Sequence, residues 1–66
     1  MKWRKDGDQY VAVGSRAEYR ITEWTMRGVR TYLLTKTKDA SRSSCGDYDS
    51  PTDAKRAALT IDTGPQ

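Results

Sequence analysis

The chain has 66 residues, 35% of them apolar and 32% charged, with twelve Lys+Arg against nine Asp+Glu for a formal charge of +3. That length allows one small domain with a modest core. With no His and a single cysteine, Cys45, neither an intramolecular disulfide nor a His/Cys zinc site is available to brace it, which leaves association as the remaining support.

Asp6-Gly7 is a two-residue hairpin signal, because a type I′ turn needs positive φ at both central positions. Centring the turn there pairs Trp3 with Tyr10 and Arg4 with Gln9. Gln9–Val13, rich in β-branched and aromatic residues, reads as a strand. Gly14-Ser15-Arg16-Ala17 breaks the pattern as a second turn. Glu18–Trp24 alternates Tyr19 and Ile21 against Arg20, Thr22 and Trp24, which is strand periodicity. A four-residue loop, Thr25–Gly28, then leads into a strand over Val29–Lys36.

With these loops Ala12 faces Tyr19, Tyr10 faces Ile21, Ile21 faces Tyr32, Tyr19 faces Leu34 and Glu23 faces Arg30. One face collects Trp3, Tyr10, Ala12, Tyr19, Ile21, Tyr32 and Leu34. A three-residue loop before Val29 would exchange Leu33 for Leu34, since a one-residue slip turns every side chain over. Thr37–Ser44 is polar and reads as a mobile loop, and Cys45–Tyr48 as a short last strand.

A helix follows. Ser50 suits the N-cap, Pro51 the first helical position, and Ala54, Ala57, Ala58 and Ile61 recur on one face, with Leu59 to the side. The expected fold is α+β: an antiparallel β-meander of three to five strands with one C-terminal helix packed on one face. It occupies residues 1–62, with a flexible tail over 63–66.

Chemistry is sparsely represented. Asp47 and Asp49 flank Tyr48, so on an extended segment they point the same way, and with Asp53 they are the one carboxylate group suited to acid–base work or a cation. Acidic residues are also routine in the first turn of a helix. Cys45 has no His to activate it. The five glycines are isolated turn residues, not a phosphate loop. No catalytic residue, metal site or cofactor is assigned, and the expectation is a non-enzyme.

Charge is uneven: residues 1–42 hold ten basic and five acidic side chains, and residues 43–66 hold two basic and four acidic. The sheet face away from the helix is expected to carry Arg4, Val11, Val13, Arg20, Thr22, Trp24, Val29, Thr31 and Leu33. An apolar patch ringed by arginine fits a protein contact surface. Its expected members are Trp24, Arg20, Leu33, Val29 and Arg27, with Arg30 joining if the register shifts. The alternative is a nucleic-acid interface of Arg4, Arg20, Arg27, Lys36, Lys38 and Arg42, with one aromatic, Trp24, for stacking. Open sheet edges offer a further route to a partner or a second copy.

The string Asp53-Ala54-Lys55-Arg56-Ala57-Ala58-Leu59 is similar to the last helix of double-stranded RNA-binding domains. The first helix of that fold is missing, and Ser50–Asp53 stand where that family has basic residues, so the likeness covers the helix alone. A broader set of features is a hairpin with Trp3, Gly7 and Tyr10, then Tyr19 and Ile21, then Tyr32 and Leu33, then Gly46, Tyr48, Asp49 and Ser50 before Ala54, Lys55, Ala57 and Ala58. In these the chain resembles small uncharacterised open reading frames of bacteriophages and actinobacteria. The resemblance implies a phage or accessory origin and transfers no catalytic residue.

Met1-Lys2-Trp3-Arg4-Lys5 has no apolar stretch behind it, and no apolar run is long enough to span a bilayer. These features predict a protein of the cytoplasm, the host's if phage-encoded. Its leading role is to dock on a host protein, with no membrane partner.

Overall fold

Alternation, turn residues and one amphipathic helix combine into a single layer of sheet with a helix laid across it. The computed structural model describes residues 1–64. Five strands, β1 (Trp3–Asp6), β2 (Gln9–Val13), β3 (Glu18–Met26), β4 (Val29–Lys38) and β5 (Ser41–Tyr48), form an antiparallel meander in the order β1-β2-β3-β4-β5. The helix α1 (Pro51–Thr63) packs against β3, β4 and β5. Thr63 is therefore helical and not part of a tail; of the expected tail, Pro65 and Gln66 lie outside the described residues.

Three turns are tighter or better placed than their sequence suggests. The first hairpin turns on Gly7-Asp8, so Trp3 faces Ala12 and Lys5 faces Tyr10. Gly7 alone has positive φ there, at 62°, the pattern of a turn with glycine at its first central position. The β3–β4 loop has two residues, Arg27 and Gly28, both at positive φ as type I′ demands. Ile21 then faces Leu34, Glu23 faces Tyr32, Tyr19 faces Lys36 and Thr25 faces Arg30. Both corrections move the register by two residues. The side-chain period is also two, so the expected apolar face survives although its cross-strand partners change.

The third difference is larger. Residues 37–44 are not a mobile loop. β4 continues to Lys38, turns on Asp39-Ala40 and returns as an eight-residue β5. Asp39 and Ala40 both have positive φ, 52° and 66°. Asp tolerates that region, whereas Ala there costs about 1–2 kcal/mol. Ala40→Gly should therefore raise stability by about 0.5–1 kcal/mol once glycine's extra unfolded-state entropy is subtracted. Urea titration of the two proteins measures it, and an unchanged or lower midpoint would contradict the strained turn.

The core lies between the sheet and α1. Tyr19, Ile21, Leu34, Ala54 and Ala58 have no exposed surface, and Tyr32 and Ala17 are nearly as deep. Trp3, Tyr10, Cys45, Tyr48, Ala57 and Ile61 close its rim. The alanines let the helix lie near the sheet, while Leu59 stays 48% exposed, outside the stripe. Ser50 caps the helix: its Oγ accepts from the Asp53 backbone N–H at 3.2 Å, and Pro51 follows, where no amide hydrogen is needed. A register shift lies in β5 between its pairings with Leu33 and Thr35. There Gly46 takes φ 108°, and the Tyr48 hydroxyl donates to the Cys45 carbonyl at 3.1 Å. Cys45 is a half-buried free thiol at the core edge.

Candidate functional site

Two strands outrun their neighbours. β2 pairs with β3 along Glu18–Thr22, and β5 pairs with β4 from Tyr32 to Lys38. Beyond those limits, residues 24–31 pair with each other alone. The result is a two-stranded arm, and the molecule is correspondingly elongated at 37 × 23 × 21 Å.

The pairing order sorts the arm's side chains. Trp24 opposite Thr31 and Met26 opposite Val29 face away from α1; Thr25 and Arg30 face its side. Trp24 is 38% exposed, Met26 52% and Val29 62%, and Leu33 continues their face half-buried. Arg27 stands at the turn. Residues 24–31 hold two arginines and no acid.

The expected contact residues are thus largely brought together. Trp24, Val29, Leu33 and Arg20 share one face, and Arg27 caps its end. Arg30 does not join them, because its register places it on the helix side opposite Thr25, off the patch and not opposite Glu23. Val11 lies on the outer face between Arg4 and Arg20 in the pairing order, but it is only 4% exposed and is not part of an open patch. Val13, at 73% exposure, is open but stands at the far end of the sheet from the arm. Met26, outside the expected set, belongs at the centre; its place two residues after Trp24 on an alternating strand is the signal for it.

The expected nucleic-acid set is split. Arg4, Arg20 and Arg42 fall on the outer face, while Lys36 and Lys38 fall on the helix side, since even-numbered positions of β4 share the face of Tyr32 and Leu34. The outer face also carries Asp6, Glu18 and Asp47, which offset its three arginines. Glu18 Oε1 lies 3.9 Å from Arg20 Nη2.

The acidic residues Asp47 and Asp49 flank Tyr48 at the end of β5, and Asp53 stands in the first turn of α1. Asp47 lies on the outer face opposite Leu33, whereas Asp49 has left the strand. Among the described residues no group of three or more His, Cys, Asp or Glu is placed to hold a metal ion. Asp47, Asp49 and Asp53 all line an open groove of about 600 Å³ between the end of β5 and α1, floored by Tyr48, Ala57 and Ile61, with Arg56 along one wall. On the other side of the helix, Lys55 Nζ sits 4.6 Å from the centre of the Tyr10 ring, and Lys5 Nζ 5.9 Å from it.

One polar cluster was not visible in the sequence reading. Asp62, in the last turn of α1, is 5% exposed. Its Oδ2 accepts from the Ser15 N–H at 2.9 Å, and its Oδ1 from the Arg16 N–H at 2.9 Å and the Tyr19 hydroxyl at 3.2 Å. These bonds tie the β2–β3 turn to the helix. An acid in a helix's last turn opposes the macrodipole, and no basic residue stands in that turn. The amides of the β2–β3 turn supply the compensation. The Ser15 and Arg16 amides, in that order, hold the carboxyl below its ordinary range against the opposing effect of burial, and the Tyr19 bond and the Arg16 charge add to this. Burial pushes the Tyr19 phenol up, reinforced by the Asp62 charge and the hydrogen bond. The missed signal was spacing: Asp62 continues the Ala54, Ala58 stripe, and a charge on a buried stripe requires partners.

No helix among the described residues is long and apolar enough to cross a membrane. No family, curated protein or solved structure matches the chain.

Proposed function

We propose that the protein is a non-enzymatic binding module that docks on a partner protein through the arm 24–31. The observation that carries this reading is the gathering of Trp24, Met26 and Val29 on one exposed face of a ribbon that the core does not require. Exposed apolar side chains rimmed by arginine are the composition of contact surfaces, and Trp and Arg dominate their energetics. The arm's two arginines select a partner surface that is apolar at its centre and acidic around it. In the reading the sequence resemblance implies, the protein is phage-encoded and the partner is a protein of the host cytoplasm. The outer face, with its three carboxylates, favours a protein over a nucleic-acid partner.

The test is capture from nuclease-treated host lysate at about 50 and 300 mM salt, which spans the screening range. Wild type and Val13→Ser should retain the same protein at both salts. Trp24→Ala should lose it, a truncation costing about 2 kcal/mol or more, roughly thirtyfold in affinity. Equal capture by a folded Trp24→Ala protein, or capture that disappears with nuclease, would overturn the assignment.

A further inference from the structure

We infer that the arm has a receptor on the chain itself: the groove between β5 and α1 of a second copy takes the arm tip, so that copies associate head to tail. The inference rests on the arm being the docking element and names its occupant. What the arm asks of a partner is an apolar floor with an acidic rim. The groove provides Tyr48, Ala57 and Ile61 beneath Asp47, Asp49 and Asp53. Its volume of about 600 Å³ suits a few side chains.

The tip presents the complement. Met26 and Val29, the most exposed apolar residues of the arm, flank Arg27 at the turn. Seating them places Met26 and Val29 on the apolar floor and Arg27 among the three carboxylates. Arg56 on the groove wall offsets one of the three carboxylates, which leaves the lining with two net negative charges facing the one arginine at the turn.

The contact cannot form within one molecule. Tyr32 pairs with Tyr48, so the groove opens at the arm's root. The turn lies some three strand residues further out, about 10 Å. A paired ribbon does not fold back over that distance. Arm and groove are also different surfaces, so the contact is heterologous: each copy offers one of each, and association proceeds beyond a dimer or closes a ring.

Sedimentation velocity tests this with the intact chain from about 10 µM to about 1 mM, where weak association becomes visible. The wild type should grow with concentration beyond the 7.5 kDa monomer. Arg27→Asn with Met26→Ser, both exposed, removes the tip; Asp49→Lys with Asp53→Lys removes the groove. Each variant alone should sediment as a monomer. Their equimolar mixture should give a heterodimer and nothing larger, because one intact tip meets one intact groove. Circular dichroism checks each fold, and Asp49→Lys alone replaces the double variant if Asp53→Lys weakens the helix start.

A wild type that stays monomeric throughout, or a mixture that fails to pair, overturns the inference. If the wild type is monomeric while Trp24-dependent lysate capture persists, the arm reading stands without this receptor. If tip variants change neither assay, both readings fall.

Discussion

Leu34→Ala is expected to leave the protein largely unfolded at room temperature. Leu34 has no exposed surface and sits opposite Ile21 in the centre of the helix-covered face. Truncating a buried leucine costs about 2–5 kcal/mol, depending on how far the site collapses. A core in a chain of this size supplies on the order of 3–5 kcal/mol, and no disulfide supplements it. The loss is therefore comparable to the whole. Far-UV circular dichroism with urea titration reads the outcome. Leu33→Ala is the control: its side chain is half-buried on the outer face opposite Thr22, and the expected cost is about 1 kcal/mol or less. Reversal of the two results would mean that β4 is turned over in solution.

That pair also marks what the sequence could and could not say. The helix was legible because its start is written locally, in Ser50 and Pro51, and its stripe in Ala54, Ala57, Ala58 and Ile61. The core face was legible because parity survives errors of two: loops two residues too long at Thr25–Gly28, or a turn centred one residue early at Asp6-Gly7, reassign partners without exchanging faces. Arg30 was misplaced because its face was left to depend on a register shift, and the loop shortened by two, which keeps it on the helix side opposite Thr25.

β5 was largely illegible. Ser41–Ser44 has neither apolar alternation nor a glycine turn before it, and Asp39-Ala40 adopts positive φ without one. An edge strand buries little, so its residues need not advertise it. Its pairing is imposed by β4, whose backbone donors and acceptors require a neighbour. The arm was invisible for a related reason. It follows from where β2 and β5 stop against their neighbours, a relation between segments and not a property of residues 24–31.

Asp62→Asn is expected to destabilise the fold more than loss of the Ser50 cap, which costs about 1 kcal/mol. The carboxylate accepts from Ser15 and Arg16 through different oxygens, and from Tyr19 as well. An amide must turn its NH₂ toward one of those backbone N–H groups, so a donor meets a donor. Gly14→Ala attacks the same place from the other side. A Cβ there would stand 2.6 Å from Asp62 Oδ1 and 2.7 Å from Cγ, and the carboxylate cannot yield without giving up its bonds to Ser15 and Arg16. Overpacking of this kind costs about 1–3 kcal/mol. The double variant should lose less than the sum of the two, because both break one tie between the β2–β3 turn and α1.

The pH dependence gives the clamp a signature that packing damage lacks. The folded carboxyl lies below its ordinary value of 3.8. Its ionised form therefore stabilises the fold in full above the unfolded value, and that contribution is lost as pH falls from there through the depressed folded value. Asparagine has no such titration. The stability gap between wild type and Asp62→Asn should be constant above about pH 5 and should narrow below pH 4, as the wild type loses what the variant never had. Urea midpoints of both proteins at a series of pH values decide it. A gap that stays constant down to pH 2, or opens on acidification, would mean that the carboxylate does not hold the β2–β3 turn as an ionised acceptor.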